Sequence, residues 1–163
     1  MIKVLFVCTG NICRSPAAEG IMEKKLIDSG LDKYVETDSA GTIGYHTNEL
    51  PDERMRKNAL KRGYKLEHYA RKFNPDIDGK YFDYILVMDE DNYNALIRMD
   101  VNGTYSDKIL RTTDFSSDNK IREVPDPYYG GDEEFERVLD ILENSIDNFL
   151  KTIVKEIEKR NIK

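Results

Sequence analysis

Cys8 and Cys13 are the only cysteines in the chain, five residues apart, and Arg14 and Ser15 follow them directly. A thiolate is a strong nucleophile, and a guanidinium is a forked cation that grips two phosphoryl oxygens at once. The run Cys8-Thr9-Gly10-Asn11-Ile12-Cys13-Arg14-Ser15 therefore holds the parts for covalent attack on a phosphate ester. Backbone N–H groups of such a loop, with those of the helical turn after it, lack intrahelical partners and can converge on an oxyanion. The same field favours a thiolate at Cys8. Ser15 can donate a hydrogen bond to that sulfur when it leaves, and Asn11 tolerates the left-handed backbone of a tight loop. The run is not a nucleotide-binding loop, because no Gly-x-x-x-x-Gly-Lys-Ser/Thr is present. A cysteine ending a strand is, taken alone, more often a small buried hydrophobe. Arg14 and Ser15 beside it, and Asp126 far downstream, turn that balance toward chemistry. A zinc site built from the cysteines with His46 and His68 is disfavoured, because the Cys8–Cys13 gap does not match the usual paired spacing.

The elements around this run decide whether it can work. Ile2 to Val7 is apolar apart from Lys3 and reads as a buried strand feeding the loop. A helix follows, with Ala17, Ala18, Ile21, Met22 and Leu26 at helical spacing, Ser15 suited to its cap, Pro16 to its first turn and Gly30 to its exit. Tyr34 to Thr37 is a second strand ending at Ser39-Ala40-Gly41. Pro51 opens a second helix that Gly63 closes, with Met55, Ala59 and Leu60 facing inward. Tyr81 to Met88 is the clearest strand, and Asp89 turns it into a helix carrying Leu96, Ile97 and Met99. Lys108 to Arg111 is a fourth strand, and from Glu133 an apolar stripe at helical spacing predicts a long closing helix. This alternation predicts one α/β domain over 1–163: an open four-stranded parallel sheet with helices on both faces, flavodoxin/Rossmann-like, with the phosphate-binding loop after the first strand.

Composition narrows the function. With 163 residues, 39% hydrophobic and 34% charged, the chain is an ordinary globular protein. A net charge of −6 argues against a general nucleic-acid binder, and no apolar run is long enough for a membrane span or signal segment. A cytoplasmic monomer is expected. The charge is uneven: eight basic residues and one acidic lie between Arg54 and Lys72, and eight acidic and one basic between Asp126 and Asp147. Each run reads first as a solvated helix face, and secondly as a surface that attracts or repels anionic partners.

Cys-x-x-x-x-x-Arg-Ser with Gly-Asn-Ile-Cys inside it and Pro16 after it resembles the low-molecular-weight protein tyrosine phosphatases. The resemblance runs along nearly the whole chain, through Asp38-Ser39-Ala40-Gly41-Thr42, Val87-Met88-Asp89-Glu90 and Val124-Pro125-Asp126-Pro127-Tyr128-Tyr129-Gly130. It implies that Cys8 is the nucleophile, Arg14 the phosphate clamp and Asp126 the general acid and then base, with no metal or organic cofactor. Thr9, Gly10, Asn11, Ile12 and Cys13 would bind the phosphate. Ser15, Ser39 and His68 would support the loop, together with Asn11. Tyr128, Tyr129 and Tyr45 would wall a deep slot for a phenyl ring, and Cys13 would pair with Cys8 under oxidation. The implied partners are phosphotyrosine proteins, with inorganic phosphate as product.

Three alternatives differ in chemistry. An arsenate reductase of this fold needs relay cysteines, and none follows Cys13. Protein-arginine phosphatases typically carry Thr where this chain has Ile12, and lack the pair Tyr128-Tyr129. A catalytically silent phosphate-binding module would be free to lose Cys8, Arg14 or Asp126, and all three are present. Asp89 reads as structural. Thr9, in place of a larger apolar residue, and Asp132-Glu133-Glu134 after the acid loop bear on peptide preference.

Overall fold

The structure, a computed structural model, describes residues 1–160; the last three residues of the expected 1–163 unit lie outside the described residues. Four strands, β1 (Ile2–Cys8), β2 (Val35–Gly41), β3 (Tyr84–Val87) and β4 (Ile109–Arg111), form one parallel sheet in the order β2-β1-β3-β4. The α/β architecture expected from the alternating pattern is the one observed. Strand periodicity sorts β1 between two cores. Ile2, Val4, Phe6 and Cys8 join the larger core, and Leu5 and Val7 join the smaller one.

The larger core is roofed by α1 (Arg14–Asp28), α2 (Glu53–Lys61) and α5 (Asp132–Arg160). Ile21, Met22 and Leu26 of α1 meet Phe135, Leu142, Ile146 and Phe149 of α5, all fully or almost fully buried. The short α3 (Asp78–Tyr81) and α4 (Glu90–Met99) precede and follow β3, and Leu96 of α4 packs with Phe73, Phe82 and Tyr105 in the smaller core. β2 and β3 lie on opposite sides of β1, so the chain leaves the carboxyl ends of β1 and β3 over a switch point, where an open α/β sheet forms its crevice.

Four local expectations need correction. Ser15 does not cap α1: the helix begins at Arg14, Cys13 occupies the cap position without a side-chain bond, and Ser15 turns inward toward Cys8. α2 starts at Glu53, two residues after Pro51, because the Asp52 carboxylate accepts from Arg54 N at 2.9 Å and caps the helix. Leu60 is exposed, and Asn58 takes the inward position beside Met55 and Ala59. The third strand covers only Tyr84–Val87, because Tyr81 ends α3 and Phe82 is buried in the smaller core outside the ladder.

The two charged runs partly meet. Arg62, the residue capping the end of α2, pairs with Glu136, Asp140 and Glu143 on α5. Arg54 is paired with Asp52, and Arg71 with Asp38 and Asp78. Arg62 thus joins the two runs across the α2–α5 contact, while Arg54 and Arg71 are neutralised by carboxylates outside the acidic run.

Candidate active site

The loop between β1 and α1 turns at Asn11. Asn11 has φ of 58°, the left-handed conformation, and is almost fully buried. Its amide fixes the loop from four sides. Nδ2 donates to Ser15 Oγ (2.8 Å) and Ser39 Oγ (3.0 Å), while Oδ1 accepts from His68 Nε2 (2.8 Å) and the Arg71 backbone N–H (2.9 Å). Because Oδ1 only accepts, His68 must carry its proton on Nε2. Gly41, at the end of β2, lets the loop lie against the sheet. A Cβ there would stand 2.6 Å from Thr9 O and 3.1 Å from Asn11 N. Thr42 N–H and Ile43 N–H then donate to Cys8 O and Thr9 O.

Cys8 sits at the loop's start, 2% exposed, with its sulfur 3.0 Å from Ser15 Oγ. Arg14 is also 2% exposed. Its Nη1 donates to Asp89 Oδ2 (2.6 Å) and Val124 O (3.0 Å), and its Nη2 reaches Thr9 Oγ1 (3.4 Å) and lies 3.8 Å from Asp126 Oδ2. Burial alone would lower its pKa. Cys8, Asp89 and Asp126 outweigh burial and hold the guanidinium above its ordinary value. Asp89 is also the cap of α4, in a reciprocal capping box with Asn92. Asn92 Nδ2 donates to Thr9 Oγ1 at 3.1 Å, so the start of α4 holds both the arginine and the loop.

Asp126 stands between Pro125 and Pro127, whose rings fix the flanking backbone. Upstream, buried Val124 is pinned by its N–H on Met88 O (2.8 Å) and its carbonyl on Arg14. Downstream, Tyr128 N–H donates to Asp126 Oδ1 at 3.1 Å. Cys8, Thr9, Gly10, Ile12, Cys13, Arg14, Tyr45, Asp126, Tyr128 and Tyr129 line one cavity of about 360 Å³, which Ile43 and His46 complete. Every residue expected in the site lies at this cavity or in the network beneath it. The expected deep slot is more open than that, because Tyr45 is 83% and Tyr129 96% exposed, and Tyr128, the least exposed of the three, is still 37% exposed. Tyr128 packs edge-on against Tyr129, and His46 packs edge-on against Tyr45.

Beneath the loop, Ser39 Oγ donates to Glu19 Oε1 at 2.6 Å, and His68 Nδ1 lies 3.2 Å from the same carboxylate and 3.5 Å from Asp38. Burial, with the charges of Glu23 and Asp38, pushes Glu19 up to about 8 against the Ser39 bond, and burial lowers His68. Burial likewise pushes the Cys13 thiol far up, aided by Asp52 and Cys8. Both cysteines are free thiols. Glu19, Asp38 and His68 come close enough together to present a ligand set, but their hydrogen bonds to Ser39, Arg71 and Asn11 already account for their placement.

Sequence reasoning missed the grip of Asp89 on Arg14, the Asn92 bond to Thr9, the Glu19 support under Ser39, and the places of Ile43 and His46 in the wall. The loop lies at the crevice of an open α/β sheet, with a nucleophile, an oxyanion clamp and a carboxylate facing one cavity. That arrangement defines a phosphoryl-transfer enzyme working through cysteine. The model of the family described as low molecular weight phosphotyrosine protein phosphatase matches residues 3–160. A Synechocystis protein named for the low molecular weight protein-tyrosine-phosphatases is 47% identical over 156 residues, covering 96% of this chain and 99% of that one. The crystal structure of a protein tyrosine phosphatase from Entamoeba histolytica, with Hepes in the active site, superposes with a TM-score of 0.91 at 44% identity. It covers 96% of this chain and 99% of that one. A Drosophila arginine phosphatase shares the fold at 29% identity and a TM-score of 0.87, over 93% of this chain and 98% of that one. The chain belongs to the low molecular weight phosphotyrosine protein phosphatase family.

Proposed function

We propose that this chain hydrolyses phosphotyrosine in proteins through a phosphocysteine formed on Cys8, as one catalytic domain acting as a cytoplasmic monomer. The observation that carries the reading is the single cavity shared by Cys8, Arg14, Asp126 and Tyr128. In the first step the Cys8 thiolate attacks phosphorus in line with the ester oxygen. The S–P bond forms as the P–O bond breaks, and Asp126 gives its proton to the departing phenolate. Arg14 and the loop N–H groups of residues 9–14 take the charge on the equatorial oxygens, so the scheme needs no metal or organic cofactor. In the second step water attacks phosphorus and the Asp126 carboxylate takes its proton. The S–P bond breaks, Ser15 donates to the leaving thiolate, and inorganic phosphate is released.

The Asp126 role has a direct test. Asp126→Ala should lower kcat/KM about 10²–10⁴-fold for a phosphotyrosine peptide, whose phenolate needs the proton, and far less for p-nitrophenyl phosphate. Equal losses on the two substrates would remove Asp126 from the mechanism.

A further inference from the structure

The segment carrying Asp126 is held at two ends. Its upstream end, at Val124, rests on Met88, just past the end of β3, and on Arg14 of the site. Its downstream end, at Tyr128, rests on a residue that lies 74 positions earlier and lines no part of the cavity. Arg54 Nη2 donates to Tyr128 O at 2.9 Å, and Nη1 reaches Gly130 O at 3.5 Å. The guanidinium also packs over the Tyr128 ring at 5.5 Å and the Phe135 ring at 4.7 Å. Asp52 fixes this fork from behind, accepting from Arg54 Nε at 3.1 Å and Nη2 at 2.9 Å. Asp52 in turn donates its backbone N–H to Ile12 O in the phosphate loop at 2.8 Å.

These contacts form a chain. The phosphate loop holds Asp52, Asp52 holds Arg54, and Arg54 holds the Tyr128 carbonyl. The N–H of that same Tyr128 donates to Asp126 Oδ1. We propose that Arg54 is a positioning residue for Asp126, setting through Tyr128 the distance between the proton donor and the phosphate loop. A planar fork serves this purpose where a lysine cannot, because Asp52 and two loop carbonyls are engaged from one rigid group. Asp126 is itself half exposed and touches Arg14 only at 3.8 Å, and among the described residues downstream of Pro127 the Tyr128 N–H is the group hydrogen-bonded to its carboxylate.

The inference rests on Asp126 acting as the acid, and the experiment separates the two. Arg54→Ala, Asp126→Ala and the double variant are assayed for kcat/KM on a phosphotyrosine peptide and on p-nitrophenyl phosphate. Arg54→Ala should lose about tenfold or more on the peptide and less than about threefold on p-nitrophenyl phosphate, since misplacing a catalytic group by about 1 Å can cost up to 10²-fold. In the Asp126→Ala background the Arg54 substitution should cost nothing further on the peptide. A loss equal on both substrates, or one that persists in the double variant, would make Arg54 a structural residue only. If Asp126→Ala itself shows no dependence on the leaving group, the acid assignment fails, independently of Arg54. Should Arg54→Ala not fold, Arg54→Lys keeps a cation with N–H donors on one nitrogen but loses the planar fork. It should show the same selective loss at smaller amplitude, and wild-type behaviour there would overturn the proposal.

Discussion

Gly41→Ala adds one methyl group to a residue that touches no substrate, yet it should damage both the enzyme's stability and its rate. Gly41 does not have a positive φ, so the glycine is needed for space and not for its dihedral angle. The new Cβ would sit 2.6 Å from Thr9 O, with Asn11 N and Gly10 C each at 3.1 Å. All three are backbone atoms of the phosphate loop and cannot rotate away. Nonbonded heavy atoms settle near 3.5 Å, so the loop must retreat by roughly 0.9 Å. Overpacking of this kind costs about 1–3 kcal/mol, which in a domain of this size lowers Tm by roughly 3–10 °C. The displaced segment carries the N–H groups proposed to bind phosphate, so kcat/KM for p-nitrophenyl phosphate should fall on the order of 10²-fold. Thermal unfolding and steady-state kinetics on the same preparation read both effects. Activity within about threefold of the wild type, in a variant that is measurably destabilised, would refute the idea that Gly41 sets the loop's position. The sheet could then absorb the methyl without moving the loop.

The buried carboxyl of Glu19 gives stability a pH dependence. Its folded pKa is raised to about 8 from an ordinary 4.5, so the folded state keeps a proton that the unfolded state releases. That contribution is complete below the unfolded pKa and is lost as pH rises toward 8. Urea unfolding should therefore show stability falling across that window, and Glu19→Gln should flatten the slope; an unchanged slope would contradict the assignment. Peroxide should inactivate the enzyme reversibly through a Cys8–Cys13 disulfide. Because burial keeps the Cys13 thiol protonated, pairing should accelerate with rising pH. Mass spectrometry finding only sulfonic acid at Cys8 would refute pairing. Arg62→Ala removes one cation from among Glu136, Asp140 and Glu143, leaving three carboxylates facing one another. It should cost about 1–3 kcal/mol in chemical denaturation, as losing charged hydrogen bonds does, without changing kcat/KM; no loss of stability would show that solvent screens the cluster.

What the sequence made legible was local. Cys8, Arg14 and Ser15 lie within one strand–loop–helix unit, where strand signal, loop chemistry and helix start are contiguous and can be read together. The parallel sheet followed from apolar runs alternating with helical stripes. Local patterns misled where a short range supports two roles. Ser15 has the chemistry of a cap, but the thiol and the Asn11 amide compete for its hydroxyl and win. The apolar run from Tyr81 continues β3 by composition, but its first residues are spent on α3 and on filling the smaller core. What stayed hidden were pairings set by topology. Asp89 reaches Arg14 only because β1 and β3 are neighbours, 75 residues apart in sequence. Arg54 reaches the acid loop only because α2 starts beside the phosphate loop. In the sequence, Arg54 is merely one cation in a basic run.

Cysteine-dependent hydrolysis of phosphotyrosine is tested most directly by phosphate release, without added metal, from matched phosphotyrosine, phosphoserine and phosphoarginine peptides. The Cys8→Ser variant serves as control. Fast release is expected from the phosphotyrosine peptide alone, with turnover abolished in Cys8→Ser while peptide binding is retained. Preference for phosphoarginine, release that survives in Cys8→Ser, or binding without release in the wild type would contradict it.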